Sequence, residues 1–371
     1  MLRYLSGGLV VSMYYILIPC FNPTVPEICN GGANCISLMQ CTGLYNQLRL
    51  QNTPQLTQLL RSLHCGFDYN NQPLICCPPE FLQPFLQPIP TQTQRNFDPL
   101  TLLPNNKVCG IQNNDRIVGG VRTDIDEHPW MSLLRYDKPI GWGFYCGGVL
   151  ISERYVLTAA HCVNGLPPDW KLAKVRLGEW NVSSAVDCID DDCSGKVQDI
   201  PIEEIIQHEG YDTEDISQVN DLALLRLSRN AVFSDFVKPI CLPLSAELRR
   251  SKFDGYDLEV AGWGKTENTS ESDVKLKARV PVASKSQCAN VFSRVGRVVT
   301  DLQICAGGIG GRDSCRGDSG GPLMGQAPSA NNWMVIGIVS YGPSPCGTEG
   351  WPGVYTRVGA YVDWILSKMH P

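Results

Sequence analysis

Apolar residues in the C-terminal part of the chain come in short runs, as over 149–160, 174–178 and 222–227, and Gly, Pro, Asn or Asp soon interrupts each run. Such pieces predict short β-strands joined by turns, and no long helical or heptad period competes with them. Three stretches depart from this pattern. Leu9 to Ile18 forms one apolar core near the start of the chain. Leu56, Leu59, Leu60 and Leu63 recur at the spacing of one helix face behind Thr53-Pro54, a pair that can cap and open a helix. The predicted role of these leucines is a small core. Residues 78–108 are rich in Pro, Gln, Asn and Thr around FLQPFLQPIPTQTQ and carry no period, which predicts an extended linker.

Composition narrows the class. With 371 residues, 43% hydrophobic and 18% charged, the chain is a folding sequence longer than one typical domain. A net charge of −6 without a long Lys/Arg cluster speaks against nucleic acid or an anionic membrane as partner. Residues 1–20, with Arg3 ahead of the apolar core, predict a secretory signal peptide, because the core is too short to span a bilayer and no later run is long enough. Seventeen cysteines predict an oxidising compartment. The odd one is assigned to Cys20, at the end of the leader, where no clear small-x-small pattern marks the cleavage site. Six others, Cys29, Cys35, Cys41, Cys65, Cys76 and Cys77, fall within fifty residues, so cross-links there substitute for a core. Six cysteines allow fifteen pairings, and the lack of a His or CxxC pair at finger spacing argues against zinc.

The chemistry concentrates in GRDSCRGDSGGP, residues 311–322. Ser319 stands among small residues that let the backbone turn sharply and bring amide N–H groups close to a substrate carbonyl. A serine hydroxyl needs a histidine base and a carboxylate that orients it. Upstream, LTAAHC supplies His161 and NDLALLRL supplies Asp221. The order His, Asp, Ser separates this arrangement from two unrelated ways of building the same triad.

On these motifs, together with IVGG at 117–120, the chain from Ile117 onward resembles the trypsin-like serine peptidases of the chymotrypsin family. The resemblance implies a mostly β, chymotrypsin-like double β-barrel with His161, Asp221 and Ser319 as catalytic residues and the N–H groups of Gly317 and Ser319 as oxyanion hole. It implies Ser340 as support for Asp221, and Asp313 at the base of a specificity pocket that Gly342 and Gly353 leave open, hence cleavage after Arg or Lys. Tyr341, where Trp is common, and Pro345-Cys346 at the rim depart from the family pattern. Cleavage at Arg116-Ile117 is implied to free an amino group that pairs with Asp318 and orders the oxyanion loop, so the uncut chain is expected to be a zymogen.

The N-terminal cysteine spacing resembles the clip domain, a small disulfide-stapled module in front of such peptidases in arthropods. The implied organisation is signal peptide 1–20, clip domain 28–78, linker and activation segment 79–116, and peptidase domain 117–371. The implied pairs are Cys29–Cys76, Cys35–Cys65, Cys41–Cys77, Cys109–Cys241, Cys146–Cys162, Cys288–Cys305 and Cys315–Cys346. Cys188–Cys193 remain as a pair around an acidic loop. No cofactor is needed for the chemistry. Glu179, Asn181, Ser184 and Asp187 offer hard oxygens where related peptidases bind Ca²⁺, and a solvated acidic loop is the other reading. Asn268 and Asn181 open glycosylation sequons, Asn268 being the better candidate. The expected protein is a secreted extracellular endopeptidase of a melanisation, Toll or developmental cascade. Its expected partners are a protease zymogen, prophenoloxidase or cytokine precursor as substrate, an upstream activating protease and serpin inhibitors. A noncatalytic clip-domain cofactor and a digestive trypsin are the rival readings. The first usually lacks the nucleophile, and the second leaves the N-terminal module unexplained.

Overall fold

The structure is a computed structural model that describes residues 29, 34–38, 40–41, 44–45, 54–68, 73–78, 81, 97–112, 122–189, 191–265, 271–310, 314–315, 317–326 and 331–371. The leader with Cys20, the cap residue Thr53, the Arg116-Ile117 bond, Asn268 and Asp313 lie outside the described residues. The chain divides into two units, Met1–Arg95 and Asn96–Pro371.

In the first unit, β1 (Asn34–Ser37), β2 (His64–Phe67) and β3 (Pro73–Cys77) form an antiparallel sheet in the order β1-β3-β2, and α1 spans Pro54–Ser62. Disulfides join Cys29 to Cys76, Cys35 to Cys65 and Cys41 to Cys77. Among the described residues the buried core is Cys41, Leu44, Ile75 and Cys77, with Ile36, Leu38, Leu56, Leu60, Leu63 and Phe81 packed against it. Leu59 departs from the predicted stripe, at 39% exposed. A unit this small has too little interior to cover the whole apolar face of α1.

The second unit is built from two six-stranded layers. A closed barrel runs in the order β10-β11-β6-β5-β4-β7, comprising β4 (Met131–Asp137), β5 (Trp142–Leu150), β6 (Tyr155–Thr158), β7 (Lys171–Leu177), β10 (Gln198–Gln207) and β11 (Ala223–Leu227). The small hairpin β8 (Cys188–Ile189) and β9 (Asp192–Cys193) lies between β7 and β10 and is closed by its own disulfide. The second sheet, β13-β12-β15-β16-β17-β14, comprises β12 (Asp257–Gly262), β13 (Leu276–Pro281), β14 (Gln303–Gly307), β15 (Pro322–Gln326), β16 (Trp333–Tyr341) and β17 (Pro352–Arg357). Val282, just past β13, bridges Ala306 in β14, so this sheet also curls onto itself. Helices α2 (Ala246–Arg250) and α3 (Lys285–Ser293) belong to this half of the unit, whereas α4 (Val362–Lys368) reaches back to the first barrel, where Trp364 and Lys368 meet Glu209 just past β10.

One hydrophobic cluster spans both barrels, and the second barrel adds two of its own. Trp130, with no exposed surface, sends its indole N–H to the Met324 sulfur in β15, and the Trp263 indole reaches back to the Trp180 carbonyl at 3.0 Å. An indole buries a large apolar area and still needs a partner for its N–H, so each is pinned across the seam. No helix among the described residues is long and apolar enough to cross a membrane.

Part of the predicted linker is ordered structure. Pro99–Leu102 is a 3₁₀ turn capped by Asp98, and Leu102 and Leu103 pack on the barrel core. Gly110 exchanges backbone hydrogen bonds with Trp333 and Pro239, and Cys109 is bonded to Cys241. The sequence carries no period here because the order comes from the surface this segment lies on.

Candidate active site

The 3₁₀ turn Ala160–Cys162 follows β6 directly, and a disulfide from Cys162 to Cys146 in β5 holds it. His161 therefore leaves a rigid strand end with 23% of its side chain exposed. Asp221, with no exposed surface, precedes β11. Its neighbour Asn220 adopts a left-handed φ of 62°, which Asn tolerates better than most residues, and bonds through its side chain to Gly210 and Tyr361. That anchor aims the next residue inward.

The two side chains meet. His161 Nδ1 lies 2.8 Å from Asp221 Oδ2, and the His161 backbone N–H donates to Asp221 Oδ1 at 2.9 Å. The second barrel adds Ser340 Oγ, which donates to Asp221 Oδ2 at 2.5 Å, and Thr356 Oγ1, which donates to the Asp221 carbonyl at 2.7 Å. With Nδ1 directed at the carboxylate, Nε2 is the free basic nitrogen. Burial pushes the His161 pKa down, but the charge and hydrogen bond of Asp221 outweigh it and the net shift is upward.

Ser319 sits in the turn that feeds β15. Its carbonyl accepts the Gly147 N–H at 2.8 Å, while Gly320 N–H bonds to Val339 and Gly321 N–H closes the turn onto Asp318. Gly320 has φ +76°, and a Cβ there would collide with Thr158 Oγ1 and the Gly147 carbonyl. The nucleophile turn thus lies flat against the strand that leads to His161. Gly317 also has a left-handed φ, +101°. Beside it, the Asp318 carboxylate accepts N–H bonds from Gly264 and Cys315, both at 2.9 Å. A Cβ on Gly262 or Gly264 would land on its oxygens. This enclosure pushes the Asp318 pKa up to about 6, the two backbone bonds offsetting only part of the burial.

A trypsin family model matches residues 117–365, and the regulatory CLIP domain of proteinases matches 30–77. The "CLIP domain-containing serine protease HP8" of Bombyx mori is 66% identical over 95% of this chain and 96% of its own length. This chain is a clip-domain serine protease. "Serine protease ea" of Drosophila melanogaster is 48% identical over 91% of the chain and 88% of its own length. The crystal structure of the Drosophila Grass clip serine protease of the Toll pathway superposes with a TM-score of 0.66 at 36% identity, covering 91% of this chain and 94% of that one. The enzyme is accordingly a serine endopeptidase with a trypsin domain.

Other expected site residues of this clip-domain protease lie in the second barrel and its loops. Gly342 follows β16, and Gly353 lies in β17 paired with Ala306. Ser314, next in sequence to Asp313, has its hydroxyl 3.2 Å from that of the buried Tyr355. Tyr341 carries the Arg297 guanidinium over its ring at 4.2 Å. Disulfides join Cys315 to Cys346 and Cys288 to Cys305.

In the acidic loop, the Trp180 N–H is shared by Glu179 Oε1 at 2.9 Å and Asp187 Oδ2 at 3.3 Å, so the two carboxylates converge. Burial and then the charge of Asp187 raise the Glu179 pKa. The Ser184 hydroxyl donates to Asp187, whereas the Asn181 side chain turns away to Ser183. Two converging carboxylates and a hydroxyl fit a hard divalent cation, but the Asn181 side chain does not join the set. Arg176 occupies one oxygen of Glu179, and the buried Lys275, its pKa lowered to about 8 by burial, lies in the field of both acids.

Thr356, Gly262 and Gly264 were not legible as site residues. The GWG motif at 262–264 was the available signal for the glycines. Thr356 had none.

Proposed function

We propose that this clip-domain protease is secreted as an inactive precursor, is activated by cleavage after Arg116, and then cuts a few protein substrates after Arg or Lys in an extracellular cascade. The observation that carries the reading is the Asp318 carboxyl, enclosed and raised to about 6 with only N–H donors on it. A carboxyl held this way gains from a cation, and the amino group created at Ile117 supplies one. Their pairing orders Gly317 and Ser319, whose N–H groups then form the oxyanion hole.

In the cut enzyme His161 Nε2 takes the proton of Ser319 Oγ as that oxygen attacks the scissile carbonyl. Asp221, clamped by Ser340 and Thr356, keeps the proton of imidazole Nδ1 in place and stabilises the imidazolium. The proton on Nε2 then passes to the leaving amine, and water repeats the sequence on the acyl-enzyme. Asp313, beside Ser314, supplies the negative charge that selects a guanidinium or ammonium at the cut bond, and Gly342 and Gly353 keep its pocket open. The chemistry needs no cofactor. Ca²⁺ on Glu179 and Asp187, with Ser184, neutralises a buried like-charge pair and has a structural role only. Asn268 and Asn181 are proposed glycosylation sites.

The kinship with a Toll-pathway protease supports a cascade role, with a zymogen, prophenoloxidase or cytokine precursor as substrate, another protease as activator and serpins as inhibitors. The test is hydrolysis of small Arg- and Leu-terminated amide substrates before and after a trypsin-like enzyme cuts Arg116-Ile117, with Ser319→Ala as control. Arg-directed hydrolysis that appears only after the cut and vanishes in the control supports the proposal. A correctly cut, folded protein that stays silent sinks it.

A further inference from the structure

One cavity among the described residues departs from the chain's acidic balance. Arg249, Arg250, Lys252, Lys285 and Arg357 line one cavity of about 220 Å³ on the second barrel, with only Asp254 and Asp301 as carboxylates among its lining residues. The whole chain carries −6.

Part of this positive charge is already matched. Arg249 pairs with Asp363 at 2.6 Å and Lys285 with Asp301 at 2.7 Å. The Arg357 guanidinium bonds to the carbonyls of Asp301 and Arg249 and to no carboxylate. Arg250 and Lys252 are exposed and have no ion-pair partner among the described residues. Asp301 is shared among Lys285, Lys252 and Arg357, so the five cations that line this concavity still outnumber its two carboxylates, and an anion would relieve their mutual repulsion.

The floor decides between kinds of anion. It is apolar, formed by Val282, Val299 and Ile304 beside the Cys288–Cys305 disulfide. A sulfated or phosphorylated polymer offers this floor nothing to bury. An acidic peptide with one large apolar side chain satisfies both parts, because carboxylates meet the rim guanidiniums in bidentate fashion while the apolar group fills the floor.

We propose that this cavity is a docking site for an acidic segment of a partner protein that carries an apolar anchor residue. The site lies on α2, the start of α3, β14 and the end of β17, so it is separate from the residues that do chemistry. A macromolecular partner can occupy it while the active site is engaged.

The test uses the full chain and a fluorescein-labelled Glu-Asp-Phe-Asp-Glu peptide with blocked ends, read by anisotropy at 150 mM salt. Saturable binding is expected. The double variant Arg250→Ser, Lys252→Ser should weaken it at least tenfold, and so should Ser in place of the peptide's Phe. Neither exposed side chain supports the fold, so the melting temperature and the cut enzyme's hydrolysis of a small Arg amide should stay unchanged. The proposal is overturned if the peptide does not bind, or if the double variant binds it equally well. It is also overturned if the Ser peptide binds as tightly as the Phe peptide. Tighter binding of a heparin octasaccharide than of the Phe peptide would reassign the surface to sulfated glycans.

Discussion

At Asp221 every strong acceptor is matched to a donor: imidazole and Ser340 on Oδ2, the His161 N–H on Oδ1, and Thr356 on the backbone carbonyl. Against the opposing effect of burial, the charge and hydrogen bond of this carboxylate raise the His161 pKa above its ordinary 6.5. A base must be unprotonated to act, so kcat/KM of the cut enzyme should fall as pH drops through a midpoint above 6.5. Asp221→Asn should move that midpoint down and lower kcat by about 10⁴-fold, since the amide no longer favours the Nδ1–H tautomer. A pH–rate profile on a small amide substrate checks both. Asp318 has the opposite character. Its folded pKa of about 6 exceeds the ordinary 3.8 of an aspartate, so the folded uncut chain binds the proton more tightly than the unfolded one. Stability should therefore fall as pH rises from about 4 to about 6, by on the order of 2 to 3 kcal/mol. Thermal melts of the uncut form across that range should show this slope in the wild type and lose it in Asp318→Asn. The same variant, once cut, should lack activity because the new amino group finds no countercharge.

Among the loops, the turn at Ser319 depends on one residue having no side chain. Gly320→Ala meets both a left-handed φ and a wall formed by Thr158 and Gly147, so it should cost about 2 kcal/mol or more of stability. Activity should fall with it, measured as kcat/KM alongside a melt. The acidic loop carries a second expectation. Ca²⁺ in the millimolar range should raise the melting temperature by several degrees and a chelator should reverse it, while Glu179→Gln should abolish the response. An unchanged melt would leave Arg176 and Lys275 as the countercharges of that loop. These two loops also mark how far the sequence could be read. GDSGG and TAAHC are legible because nucleophile turn and base need particular residue types at adjacent positions. The six-residue Cys188–Cys193 loop is legible for the same reason. Thr356, 135 residues from Asp221, is an ordinary strand threonine until the barrels meet. Leu59 belongs to a faultless helical stripe, and only the size of the unit beneath it decides that it stays exposed.

At the scale of the whole chain, the segment before Arg116 is where the sequence reading and the structure differ most. Residues 97–112 lack any period, yet they bind the peptidase unit through Leu102, Leu103, Gly110 and the Asn332 side chain, which donates to the carbonyls of Asn106 and Cys109. The Cys109–Cys241 disulfide closes a loop of 132 residues across the Arg116-Ile117 bond. A cross-link over so long a loop restricts the unfolded chain by on the order of 4 to 5 kcal/mol. Cutting after Arg116 removes the covalent path between these cysteines but leaves the disulfide, so the N-terminal piece should stay attached to the active enzyme. After the cut, the protein should run as one band without reductant and as two with it. Cys109→Ser, Cys241→Ser should give two bands under both conditions. In native size-exclusion the pieces of that variant should still co-elute at high concentration, because the backbone bonds of Gly110 and the packed leucines remain, and should separate on dilution. Separation at every concentration would assign the attachment to the disulfide alone and reduce residues 97–112 to a spacer lying on the surface.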